Sequence, residues 1–277
     1  MKKSKYPILI PLLLSIVCVE AYGQSIRIEN PSAKQDAIKP GIVYACQKVE
    51  DVRDGMAQDL PAWQFIVHTE SANAAEEPER KFQTVDKSYF DDAVFIGDSR
   101  MVGMSDYSGL DQSTYYAEVG LTIYSLFEKP VAKLSNGSMG TIEQALQEKQ
   151  FGKVYLMVGI NELGTGTQER FLQAYRTTVE RIQQLQPNAV IFLQGIMYVT
   201  EERSQNDAYI NNQNIQQRNK NIATLADNRN IFYIDVNEVY ADGKGNLSKE
   251  YTFDNVHLKG ACYGQWVTFL MEHGIVK

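Results

Sequence analysis

Cysteine and histidine are scarce in this 277-residue chain, with three of each. No CxxC or HExxH spacing links them, so a metal site built from the usual sulfur and nitrogen donors has too little material, and no cofactor is expected. Basic residues are also in deficit: 27 Lys and Arg face 34 Asp and Glu, for a formal charge of -7. Holding nucleic acid requires a clustered cationic excess that replaces phosphate counterions, and no basic stripe occurs, so a nucleic-acid partner is excluded. The apolar run Ile8–Val19 falls short of the roughly 20 residues that span a bilayer.

That run follows Lys2, Lys3 and Lys5, and Ala21-Tyr22-Gly23 sets small residues at the two positions a signal peptidase reads. Residues 1–23 therefore read as an export signal cleaved before Gln24, and the mature chain is expected to be secreted or in the cell envelope. An uncleaved anchor competes with this reading. Cys18 offers a lipidation site, but Val17 stands where a lipoprotein signal carries a small residue. Membrane association is expected only through this N-terminus. Of the other cysteines, Cys46 and Cys262, an oxidising compartment permits a bridge without requiring one, and both are read as buried or free.

The 44% hydrophobic and 22% charged residues suit a folded chain with one sizeable core. Residues 24–85 are irregular, interrupted by Pro31, Pro40, Pro61 and Pro78, and form an N-terminal extension in which only Ile42–Cys46 and Trp63–His68 suggest short strands. From residue 86 to 277 strand and helix signals alternate. Strands are expected at Ala93–Gly97, Thr114–Val119, Val154–Gly159, Val190–Ile196 and Ile231–Val236. Helices are expected at Thr141–Lys149, Thr167–Leu185, Asn212–Asp227 and about Lys259–Glu272. In the second helix Phe171, Tyr175, Val179 and Ile182 share one face. This alternation implies an α/β fold, a parallel sheet covered by helices on both faces, with chemistry beyond the carboxyl ends of the strands.

Four short elements fall at such positions. Gly97-Asp98-Ser99 follows the strand AVFI and opens a helix, where N-terminal amides favour developing negative charge. Alone it reads first as an ordinary turn with a helix cap. Asp254-Asn255-Val256-His257 sets a carboxylate and an imidazole three residues apart, the pair needed to activate a hydroxyl; the bland reading is a capping Asp beside an exposed His. Gly159-Ile160-Asn161 places a side-chain amide after the strand VYLMV, where it can donate to an oxyanion or simply make a turn. Gly120, after TYYAEV, lets a backbone N–H approach substrate, or is a turn glycine. Each is bland by itself. Their joint occurrence supplies every part of an acyl-transfer apparatus.

This order of GDS, glycine, G-x-N and D-x-x-H resembles the four blocks of the SGNH (GDSL-like) hydrolases, over about Val85 to Lys277. The resemblance implies a three-layer α/β/α sandwich with a flavodoxin-like parallel sheet of about five strands. It further implies a secreted serine esterase with Ser99 as nucleophile, His257 as base and Asp254 as orienter. The oxyanion hole would comprise the Ser99 and Gly120 amides and the Asn161 side chain, with Gly103 and Gly109 as alternatives to Gly120. Two residues depart from the family pattern. Arg100 replaces the leucine of GDSL, which weakens a lipase reading and suggests contact with an anionic or sugar-rich substrate or pairing with a carboxylate. Glu162 replaces the aspartate that commonly follows the asparagine. An O-acetyl ester on extracellular carbohydrate is the expected substrate, with lipase, short-acyl esterase, acetyl transfer and an inactive glycan-binding protein as alternatives. Asp98 and Asp235 are read as turn or capping residues, His68 and His273 as bystanders, and Tyr198–Asn212 as a loop bordering the cleft.

Overall fold

The computed structural model describes residues 79–276. The export signal, most of the N-terminal extension, Cys46 and His68 lie outside the described residues. Cys262 is a half-buried free thiol.

Five parallel strands form the central sheet: β1 (Ala93–Gly97), β2 (Thr114–Ala117), β5 (Lys153–Met157), β6 (Val190–Gln194) and β7 (Ile231–Ile234), in the order β2-β1-β5-β6-β7. A two-stranded hairpin, β3 (Ala132–Lys133) and β4 (Met139–Gly140), stands apart from it in sequence between β2 and β5. The helices are α1 (Ser99–Tyr107), α2 (Ile142–Glu148), α3 (Gln168–Leu185), α4 (Glu201–Asn206), α5 (Asn212–Ala223), α6 (Asn237–Tyr240) and α7 (Tyr263–Glu272).

Alternation of side chains along each strand divides the core in two. Val94, Ile96, Leu156, Ile191 and Leu193 face α2, α3 and α5, while Phe95, Tyr155, Met157, Phe192 and Phe232 face α1 and α7. All five residues of β1 and of β6 are buried, as expected of parallel strands covered on both sides. Register puts Tyr115, Phe95, Tyr155, Phe192 and Phe232 in one row across the sheet. The first three pairs in that order stack at centroid separations of 5.2, 4.7 and 4.5 Å, and Phe192 and Phe232 meet tilted at 6.0 Å. Each such pair adds about 0.5–1.5 kcal/mol beyond the area it buries. On the other side the expected face of α3 is the buried one, with Phe171, Tyr175, Val179 and Ile182 all inside.

The three-layer α/β/α architecture matches the expectation, and the differences lie at ends and in short pieces. β2 stops at Ala117 because the chain turns at Gly120, whose φ is 77°. α5 ends at Ala223, and Asp227 then turns the chain into β7 by accepting the N–H groups of Arg229, Asn230 and Ile231, each at 2.8 Å. The last helix opens with a 3-10 turn at Gly260–Cys262. The two-residue strands β3 and β4 and the six-residue α4 are too short to carry a periodic signal.

Candidate active site

β1 lies between β2 and β5, so the segments leaving these three strands share one edge of the sheet. Ser99 is the first residue of α1, and Asp98 caps it by accepting the Arg100 N–H at 3.0 Å. Gly97 is required by close approach: a Cβ there would collide with the Met157 carbonyl and the Met101 side chain. As the first amide of a helix, Ser99 N–H has no intrahelical acceptor and finds no protein partner among the described residues. Its side chain points across to the C-terminal loop, where Ser99 Oγ lies 2.8 Å from His257 Nε2.

That loop is closed by a bridge between Thr252 and Leu258. Within it, His257 Nδ1 lies 2.6 Å from Asp254 Oδ2. The other Asp254 oxygen accepts the N–H groups of Val256 at 2.9 Å and His257 at 2.7 Å, which fixes the carboxylate against its own turn. Partial burial works against ionisation of Asp254, but the His257 backbone and ring together with the Val256 N–H hold its carboxyl well below the usual carboxylate range. An ionised Asp254 takes the proton on Nδ1 as a hydrogen bond and leaves Nε2 free to accept from Ser99.

Asn161 sits in the turn after β5, exposed, and its Nδ2 donates to the Leu121 carbonyl at 3.0 Å. One amide hydrogen is thereby fixed and the second remains available. Gly120 has a positive φ that a side chain disfavours, and its N–H has no protein partner among the described residues. Glu162 is buried and accepts the Ile123 N–H through Oε1, a second tie between the β5 and β2 loops. Arg218 of α5 donates to the Glu162 carbonyl at 2.8 Å and lies over the Phe171 ring at 4.0 Å. In the sequence Glu162 stands out only as a departure from a family pattern, and Arg218 does not stand out at all. Nothing local in the sequence joins either of them to the site.

Burial pushes the Glu162 carboxyl up from 4.5 to about 7, with Asp98 adding to the rise and the Ile123 N–H and Arg218 opposing it. A carboxyl raised on folding holds its proton longer in the native state, so its contribution falls as pH climbs from 4.5 towards 7. Glu162→Gln keeps the acceptor for Ile123 and removes the titration. Relative to the parent, the variant should gain about 2–3 kcal/mol in stability between pH 5 and pH 8, read by urea unfolding. A parallel pH dependence in the two proteins would contradict this.

One expectation is corrected. Arg100 is 1% exposed and cannot meet a substrate. Its Nη2 donates instead to the backbone carbonyls of Met197 at 3.2 Å and Val256 at 3.4 Å. The Tyr198–Asn212 segment is anchored at its ends, where Thr200 and Asn212 are buried and Asn212 bonds the Val199 backbone through both ends of its amide, while Tyr209 between them is 60% exposed. Asp98 caps α1, and Asp235 shapes the turn after β7 by accepting the Asn237 N–H at 3.1 Å. His273 bonds the Phe269 carbonyl within its own helix. No group of three or more His, Cys, Asp or Glu placed to hold a metal ion occurs among the described residues.

Residues 95–264 match the GDSL-like Lipase/Acylhydrolase family, and the chain belongs to it. Solved structures similar to the chain include the following. A Streptococcus pneumonia protein provisionally named a platelet activating factor shares 26% identity over 65% of this chain and 81% of its own, with a TM-score of 0.51. A GDSL-like lipase from Bacteroides thetaiotaomicron shares 17% over 68% and 88%, with a TM-score of 0.49. A family two carbohydrate esterase from Clostridium thermocellum, in complex with cellohexaose, shares 12% over 65% and 62%, with a TM-score of 0.45. No curated protein sequence matches significantly.

Proposed function

We propose that the protein is a serine esterase in which Ser99 is the nucleophile, His257 the general base and acid, and Asp254 the group that orients the imidazole. The observation carrying this reading is the continuous chain Ser99 Oγ, His257 Nε2, His257 Nδ1, Asp254 Oδ2, with links of 2.8 and 2.6 Å. These lie within the hydrogen-bond reach that proton transfer needs.

In the proposed cycle His257 Nε2 takes the Ser99 proton as Oγ attacks the ester carbonyl. The resulting oxyanion is met by the Ser99 and Gly120 N–H groups and the free Asn161 amide hydrogen. Collapse transfers the His257 proton to the departing alcohol and leaves an acyl-Ser99 ester. Water then attacks that ester, gives a proton to Nε2, and the proton returns to Ser99 as the acid leaves.

The substrate proposed is a short O-acyl ester, O-acetyl in the first instance, carried on an extracellular glycan. Its support is the export-like N-terminus, Lys2 to Gly23, and membership in an acylhydrolase family. The inward position of Arg100 withdraws the argument from a cationic substrate contact. A longer-acyl or lipid ester is the second reading, favoured by Val119 and Phe253, which neighbour Gly120 and Asp254 and are 69% and 88% exposed. Rates on p-nitrophenyl esters of increasing chain length, and acetate release from acetylated glycans, separate the two. Highest kcat/KM at the two-carbon acyl group supports the first reading. A steady rise with chain length overturns it.

Asn161→Ala should lower kcat on p-nitrophenyl acetate by about 10²–10³-fold with KM little changed, because a donor to the developing oxyanion is worth most in the transition state. Steady-state kinetics check this. A change confined to KM would remove Asn161 from the proposed oxyanion hole.

A further inference from the structure

His257 and Asp254 project from a loop and are partly open to solvent, their side chains 43% and 54% exposed. Ser99, by contrast, starts a helix docked in the core. A nucleophile and a base on such different supports need a tie, since a misplacement of about 1 Å at the reacting atoms can cost 10²-fold in rate.

The tie is built from buried donors on the two backbone carbonyls just before His257. The Asn255 carbonyl accepts the Thr200 N–H at 3.0 Å, and the Asn255 side-chain oxygen accepts the Thr200 hydroxyl at 2.8 Å. Thr200 is fully buried, and these bonds hold Asn255 at a φ of 72°, a conformation unusual for a residue with a side chain. The Val256 carbonyl accepts Arg100 Nη2, and the same nitrogen donates to Met197 beyond β6. Arg100 follows Ser99 directly, and its own N–H is held by the Asp98 cap.

We propose that Arg100 is a positioning residue of the site: its guanidinium ties the helix that begins at Ser99 to the loop that carries His257, with Thr200 as the second anchor of that loop. A leucine at this position could fill the space but has no donor for either carbonyl. Arginine supplies fixed N–H groups on one planar head, suited to reaching two acceptors on separate segments. The inference rests on the reading of Ser99 and His257 as nucleophile and base.

The test compares the full-length parent with Arg100→Met, Arg100→Lys and Thr200→Val for two readouts. One is kcat and KM on p-nitrophenyl acetate; the other is the second-order rate at which a fluorophosphonate modifies Ser99. Arg100→Met should reduce both kcat and the modification rate by about 10–100-fold with KM within about twofold, the pattern of a displaced base. Arg100→Lys, which restores one donor, should recover most of the loss. Thr200→Val, nearly isosteric, keeps a test in hand should Arg100→Met fail to fold, and should lower both rates about three- to tenfold. Parental rates in a folded Arg100→Met, or in Thr200→Val where Arg100→Met does not fold, would overturn the proposal and leave the triad intact. A parent protein that the fluorophosphonate never modifies at Ser99 would overturn the triad reading itself, and this inference with it.

Discussion

Ser99→Ala is expected to lower kcat on an activated ester by about 10⁴–10⁶-fold, as large an effect as removing the base would have. The size follows from what is removed. Without Oγ no acyl-enzyme forms, and His257 has no proton to take; only substrate binding and the oxyanion donors still favour reaction with water. The hydroxyl is part-buried, and among the described residues its one side-chain bond is to His257. Its loss should therefore change stability by no more than about 1 kcal/mol, so thermal unfolding will separate lost chemistry from lost fold. Activity of the alanine variant within tenfold of the parent would remove Ser99 from the mechanism.

Asp254→Asn should cost on the order of 10⁴-fold in kcat while leaving the loop folded. The asparagine oxygen can still accept the Val256 and His257 N–H groups that Asp254 Oδ1 accepts now. Its NH2 would then face His257 Nδ1, where Asp254 Oδ2 lies at 2.6 Å. A donor at that position drives the ring proton to Nε2, the nitrogen that must accept from Ser99. Kinetics beside near-ultraviolet circular dichroism would check this. A loss below tenfold would mean that something other than Asp254 sets the tautomer.

The sequence made some of this legible and hid the rest, for physical reasons. Strand positions could be read because buried parallel strands such as Ala93–Gly97 and Val190–Gln194 are continuous apolar runs, and α3 because its buried face repeats with the helical period. Ser99, Asn161 and His257 stand out as candidates because the chemistry proposed for them is tied to residue type and to positions after strands or before the last helix. The supports were not. Arg100 next to a proposed nucleophile looks like a substrate contact until its burial is known, and the Thr200–Asn255 pair joins residues 55 apart with no shared local pattern. Glu162 is the intermediate case. Its neighbour Asn161 marked the loop, but its bond to Ile123, 39 residues away, depends on how the β2 and β5 loops lie side by side.

The central claim is that one hydroxyl in this protein is activated as a nucleophile. It is tested most directly by treating the protein with a fluorophosphonate and locating the adduct by peptide mass spectrometry. The account predicts one equivalent of label per chain, on the peptide containing Ser99, and none in Ser99→Ala or His257→Ala. Label on another residue, or equal labelling of the Ser99→Ala variant, would contradict it.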